Sequence, residues 1–217
     1  EESTVGAIVT NGDPLSNDDN TLVGFDFNYR TSTYSGNRII SVSLWNQNSF
    51  TSGVGSNQSA YGVSLQYPND KINWKMKYRE FGENFSPALG FVNRVGIRLY
   101  EGAWRYRWRP AGDINTVDVR VSGQVTTDRS NDVESVVFSI RPLVLATEID
   151  DGIELRWIHS HDVTDVPFPI GDVFIPVGTY DFDDAAVLFR TSHNRPVRVK
   201  LELGGGSFRD GTTVRAA

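Results

Sequence analysis

His159-Ser160-His161-Asp162 is the stretch whose residue types come closest to metal or catalytic chemistry. On an extended strand alternate side chains share a face, so His159 and His161 project together. They could hold a divalent metal, with Asp162 or Asp165 as an oxygen ligand. Two histidines lacking a third fixed ligand serve equally as a polar rim, and neither a metal nor any other cofactor is expected. A second group is acidic. Glu80 and Glu83, with Asp26 and Asp70, offer an acid and a base for glycoside cleavage, which requires carboxylates about 5–10 Å apart. The competing use is structural pairing with Arg79, Arg94 or Arg98. Glu148-Ile149-Asp150-Asp151 and Asp181-Phe182-Asp183-Asp184 carry oxygen ligands suited to calcium, and suited as well to solvating loops. The sequence has no P-loop, dinucleotide fingerprint, nucleophile elbow or zinc-protease motif.

Basic residues gather in Arg94, Arg98, Arg105, Arg107 and Arg109, interleaved with Trp104, Tyr106 and Trp108. Such interleaving also marks stacking platforms for single-stranded nucleic acid. Strict alternation explains it more simply, with arginines on one face and aromatics on the other. The net charge of −6 and pI near 5.1 also oppose phosphate binding over a broad surface, so no nucleic-acid partner is expected. Arg79, Arg94, Arg98, Tyr100, Arg105 and Arg107 are read instead as lining a lumen or a ligand-binding mouth. The chain has no cysteine, which removes disulfides, thiolate metal sites and a cysteine nucleophile.

These residues sit on a two-residue rhythm. Val23, Phe25, Phe27 and Tyr29 alternate with polar residues or glycine; so do Val117, Val119 and Val121, and Val197, Val199, Leu201 and Leu203. Each such strand has one apolar and one polar face. Clusters such as Asn17-Asp18-Asp19-Asn20, Ser35-Gly36-Asn37, Pro68-Asn69-Asp70, Pro110-Ala111-Gly112-Asp113 and Asp150-Asp151-Gly152 reverse the chain between strands. Strands are expected near 4–10, 22–31, 38–48, 59–67, 71–81, 94–109, 115–127, 133–147, 152–160, 180–191 and 197–207. In 94–109 the apolar positions shift from Val95, Ile97 and Leu99 to Trp104, Tyr106 and Trp108, which predicts an extra residue near Glu101-Gly102. Residues 81–93 and 161–179 form long connections, either extracellular loops or segments folded inward as a constriction.

The 217 residues, 39 % hydrophobic and 22 % charged, read as one all-β domain over 1–217, an antiparallel up-and-down meander. No run approaches the ~18 apolar residues of a transmembrane helix, but spanning strands need only about 9–11. Alternation fits two architectures: a β-barrel, or part of one, and a soluble β-sandwich. Arg30, Lys75, Lys77, Arg79, Arg98, Arg105, Arg107, Arg120, Arg156, Arg198, Lys200 and Glu202 are expected on the polar face, inside the lumen of a barrel. Tyr29, Trp45, Tyr61, Tyr67, Trp74, Tyr78, Tyr100, Trp104, Trp108 and Trp157 lie mostly near strand ends, where amphipathic rings meet headgroups.

The run Tyr78-Arg79-Glu80-Phe81-Gly82-Glu83-Asn84-Phe85-Ser86-Pro87-Ala88-Leu89-Gly90-Phe91-Val92, followed by Arg94, Gly96-Ile97-Arg98 and Tyr100, resembles the central signature of a bacterial family. The family comprises uncharacterised outer-membrane-type domains that follow family-9-like carbohydrate-binding modules. Gly24-Phe25-Asp26-Phe27, Tyr67-Pro68-Asn69-Asp70, Ile175-Pro176-Val177-Gly178-Thr179-Tyr180 and Gly206-Ser207-Phe208-Arg209-Asp210-Gly211-Thr212 extend the resemblance over nearly the whole chain. It implies a β-barrel in the bacterial outer membrane or cell envelope, acting as a pore or surface anchor in carbohydrate binding or uptake. Its partners would be outer-membrane lipid, an oligosaccharide, and missing barrel strands or a partner envelope protein. The resemblance also implies a domain incomplete at the C-terminus, since Val214-Arg215-Ala216-Ala217 lacks the terminal aromatic of a finished barrel. Two further readings stay open: a glycoside hydrolase-like enzyme or soluble sugar-binding β-domain, and a structural subunit of an envelope complex.

Overall fold

The computed structural model describes residues 2–15, 19–171, 173–208 and 211–217. The strands are β1 (Glu2–Asn11), β2 (Asn20–Tyr34), β3 (Arg38–Thr51), β4 (Ser59–Pro68), β5 (Ile72–Phe81), β6 (Ile97–Trp108) and β7 (Ile114–Asp128). They continue with β8 (Val133–Thr147), β9 (Gly152–Thr164), β10 (Phe168–Ile170), β11 (Val173–Ile175), β12 (Gly178–Arg190), β13 (Lys200–Phe208) and β14 (Gly211–Ala216). All but β10 and β11 belong to one antiparallel up-and-down sheet of 12 strands, in the order β1-β2-β3-β4-β5-β6-β7-β8-β9-β12-β13-β14. β10 and β11 pair as a small hairpin inside the connection between β9 and β12.

The meander expected from alternation is therefore present. Its closure is not: among the described residues β1 and β14 end the sheet, and no pairing joins them into a barrel. Three strands escaped alternation. β14 carries Val214 as its single large apolar residue, and β10 and β11 are too short to show a period. Asn17 and Asp18 of the first turn cluster, and Arg209-Asp210 of the last shared motif, lie outside the described residues.

The chain forms two compact units. The first comprises Glu1–Asn69, Lys75–Glu101 and Thr126–Asp132. Across β1 to β4 the register sets Val5 opposite Phe27, Phe27 opposite Leu44 and Leu44 opposite Val63. This row is exposed, Val5 at 79 % and Phe27 at 41 %. The opposite face carries the row Gly6, Asp26, Trp45 and Gly62. Gly62 is required there, because a Cβ would come within 2.6 Å of the Trp45 indole nitrogen. Onto this face folds the connection 82–96. Its Phe85 packs with Leu22 and Ala60, flanked by Trp45, Phe81 and Val92. The segment is pinned as well as packed. Buried Asn20 donates to the Ser86 carbonyl (2.9 Å) and accepts from the Ala88 N–H (3.3 Å), and the Ser49 hydroxyl accepts from the Ser86 N–H (3.0 Å). The segment thus covers one face of an open sheet instead of standing clear of it as a loop.

The second unit comprises Asp70–Trp74, Gly102–Val125 and Val133–Ala217. One face of β8, β9, β12 and β13 carries Phe138 and Ile140, then Leu143 and Leu145, set against Trp157, Leu155 and Ile153 and, beyond them, Val187, Phe189, Leu203 and Leu201. The apolar positions of β8 change parity between Ile140 and Leu143. There Arg141 and Pro142 together face Arg156, a bulge that keeps both halves of the strand on one face. Proline is tolerated at a bulge because no ladder N–H is needed. The extra residue expected at Glu101-Gly102 is thus found in β8 instead. β6 runs unbroken through Gly102, which is outside the left-handed glycines.

Candidate functional site

The charged face of the second unit is organised by buried Asp118, 1 % exposed. Arg107 grips it with two hydrogen bonds, Nε to Oδ1 at 2.7 Å and Nη2 to Oδ2 at 2.9 Å. Arg120, two residues along the same strand face, donates to Oδ2 at 2.7 Å. Asp70, in the turn before β5, is held by Arg109 at 2.9 and 3.0 Å and by Arg107 at 3.3 Å. Hydrogen bonds from Arg109 are the main cause that holds the Asp70 carboxyl down at about 2. Arg105 donates to the Asp70 backbone carbonyl (3.3 Å).

Farther along the same unit the ion pairs cross strands. Arg141 meets Glu154 (3.1 Å), Arg156 meets Glu202 (3.0 Å), and Arg215 meets Asp184 (2.6 Å). Arg156 reaches past β12 because its cross-strand partner is Ala186, opposite Gly204 on β13. These small residues leave a corridor where a larger side chain would block the guanidinium. A Cβ on Gly204 would lie 2.8 Å from the Ala185 carbonyl oxygen.

The residues expected to line one lumen are divided between faces. Arg79 pairs with Glu101 (2.5 Å). Arg98, the next strand's neighbour, projects to the opposite face, onto Glu80 (3.0 Å). The expectation of Arg98 beside Arg79 fails because the register of β5 and β6 sets Glu80 and Arg98 on one face and Arg79 and Glu101 on the other. Tyr100 also turns to the Glu80 face, its ring 5.1 Å from that of Tyr78. Arg94 lies in the 82–96 connection. Arg105 and Arg107 sit with Asp118 and Asp70 on the charged face of the second unit.

Glu80 is enclosed. Tyr61 and Tyr78 donate to its Oε2 at 2.8 and 2.6 Å, Arg98 to the same oxygen at 3.0 Å, and Arg129 to Oε1 at 3.3 Å. Glu83 stands in the connection after β5, its Cγ against Gly96. With both Glu80 oxygens engaged and 5 % of the residue exposed, the arrangement is a cross-strand node. His159 and His161 face Asp183 and Asp181 across the β9–β12 ladder, with ring-to-carboxylate distances of 3.0 and 2.8 Å. Asp162 follows His161 on the strand and pairs in register with Tyr180, on the other face. Among the described residues no three side chains gather as a metal site. The acidic clusters are likewise paired: Asp150 with Arg190, Asp151 with Arg195 and Asp184 with Arg215. The Arg195 guanidinium holds the Asp151 carboxyl at about 2.

Sequence reasoning passed over Asp118, the most buried acid, and the pegs Asn20 and Ser49. Asp118 had one available signal: it is the acid placed between Val117 and Val119 on a strand whose next polar position is Arg120. Asn20 and Ser49 had none, since their partners come from a connection far along the chain. Compared with known proteins, no family model, curated protein or solved structure matches this chain.

Proposed function

We propose that this chain is part of an outer-membrane-type β-barrel, with its apolar rows against lipid and its ion-paired face toward a water-filled lumen. One observation carries the reading. Among the described residues the buried hydrophobic side chains are only Leu22, Ala60, Phe85, Ile97, Ile175 and Ala186, while rows of Val, Leu, Phe and Trp stand exposed on one face. Leaving such side chains in water forgoes about 1.5–3 kcal/mol each, so the rows call for an apolar cover. Lipid supplies one along the apolar stretch of the strands, with His159, His161, Asp181 and Asp183 farther along the same face of β9 and β12 beyond the hydrocarbon. The opposite face needs no cover, because its charges neutralise one another across strands.

Two further features support the reading. Connections at one end of the meander include the long segments 82–96 and 165–177, whereas the other end has the short turns 35–37, 69–71 and 109–113 with one longer connection, 191–199, an asymmetry in keeping with outer-membrane barrels. The 82–96 segment folds onto the face opposite the apolar row, as a constriction inside a lumen does. The family resemblance implies the same setting, with a role in carbohydrate uptake or surface anchoring. In lipid the edges β1 and β14 must be paired by further strands, since unpaired backbone groups cannot face hydrocarbon. Flotation with lipid vesicles tests the proposal. The refolded chain is expected to float with the vesicles and to resist extraction by high salt; a monodisperse chain that stays in the aqueous fraction without detergent would overturn it.

A further inference from the structure

The charged face of the second unit holds a groove of about 420 Å³. Arg107, Thr116 and Arg120 flank it on one side and Arg190 and Lys200 on the other, with Glu154 between them. Each flank sets two like charges together. Arg190 and Lys200 are directly opposite in the β12–β13 ladder, and Arg107 and Arg120 close together on the carboxylate of Asp118, with Arg107 also reaching Asp70 (3.3 Å). Like charges placed opposite one another destabilise a sheet unless something neutralises them. The protein's own acids leave that task unfinished. Glu154 is taken by Arg141 (3.1 Å) and Asp150 holds Arg190 (3.0 Å), while Lys200 has no ion pair among the described residues. Gly152 leaves room for Arg190: a Cβ there would lie 3.1 Å from the guanidinium Nε.

Four cations and one engaged acid thus share a single groove, floored by apolar residues such as Val144 and Leu188, in a chain of net charge −6. We propose that this groove binds a small soluble oxyanion, a phosphate, sulfate or carboxylate group. Asp118 fixes the Arg107 and Arg120 guanidiniums, so they meet the ligand without reorganising, and charge-assisted hydrogen bonds from Arg and Lys suit oxyanions. The Thr116 hydroxyl adds a neutral donor. The volume fits a small molecule. The four cations project from the face opposite the apolar rows, while Leu145, Ile153 and Phe189 of those rows also border the groove; binding of inorganic phosphate with no lipid present identifies a soluble oxyanion as the source.

The inference stands apart from the membrane reading and applies to the chain in detergent or in buffer. Titration calorimetry with inorganic phosphate, against chloride at equal ionic strength, tests it. Saturable phosphate binding is expected, weakened at least about tenfold in Lys200→Glu and in Arg190→Gln, and unchanged in Lys75→Gln of the first unit. Phosphate binding no tighter than chloride, or unaltered in a folded Lys200→Glu, overturns it. A second measurement needs no variant. The chain's four lysines are Lys71, Lys75, Lys77 and Lys200; in acetylation followed by mass spectrometry, phosphate is expected to protect Lys200 selectively, and equal labelling of Lys200 with and without phosphate overturns the proposal.

Discussion

Ser49 and Asp70 show how single side chains decide local order here. The Ser49 hydroxyl is the acceptor for the Ser86 N–H, and the residue is fully buried. Ser49→Ala leaves that N–H unpaired against the sheet, at a cost of about 1–3 kcal/mol. The expected result is faster amide exchange and faster proteolytic cleavage within 82–96, with the strands unaffected. Asp70 and Asp151 carry the pH dependence of the turns. Both carboxyls are held at about 2, below the ordinary value near 4, so their contribution is fully present above about pH 4 and is lost as pH falls through about 2. Denaturation followed from pH 5 to pH 2 should show falling stability. Asp70→Asn should flatten that fall, and added salt should do the same, because Asp70 is well exposed. Glu80 belongs at this scale too. Glu80→Gln is expected to be destabilising, because two tyrosine hydroxyls and the half-buried Arg98 and Arg129 lose their charged acceptor, measurable by chemical unfolding.

At the level of elements, the bulge in β8 and the glycines of β13 do the positioning. The bulge at Arg141-Pro142 lets one strand change apolar parity and still keep its face. Gly204 opens the path from Arg156 to Glu202. Gly204→Val would press a branched side chain against the Ala185 carbonyl, which is backbone and cannot step aside. A loss of about 1–3 kcal/mol is expected in unfolding experiments, as for other overpacked sites. Strand positions were readable from alternation because the side-chain period of a strand is local. The parity change in β8 was equally visible in Phe138, Ile140, Leu143 and Leu145, and its meaning follows once Pro142 is taken as a bulge residue. The similar change in 94–109 had another cause: Ile97 is buried while Tyr100, Trp104, Tyr106 and Trp108 stay exposed, so β6 uses both faces for apolar residues without any extra residue.

For the molecule as a whole, the two faces make opposite demands on their surroundings. Val63 and Ser64 are neighbours in β4 and project to opposite faces, Val63 opposite Leu44 and Ser64 opposite Ser43. If lipid covers the apolar face, Val63→Arg costs about 2–4 kcal/mol near the bilayer midplane and Ser64→Arg far less. Equal, small effects on unfolding in detergent micelles would mean that water bathes both faces. Sequence alone determined the all-β class, the meander and the separation of an apolar from a charged face, because each follows from alternation and turn chemistry within short stretches. Only the tertiary structure decided which charges meet. Asp118 gathers Arg107 from one strand and Arg120 from its own, Glu80 gathers Arg98 and Arg129, and Arg79 and Arg98 part company. Those outcomes depend on strand register and on which small residues open a path between strands, and register is set by bulges and turn lengths together. The open edges at β1 and β14 were likewise beyond alternation, which describes every strand in the same terms whether its sheet closes or not.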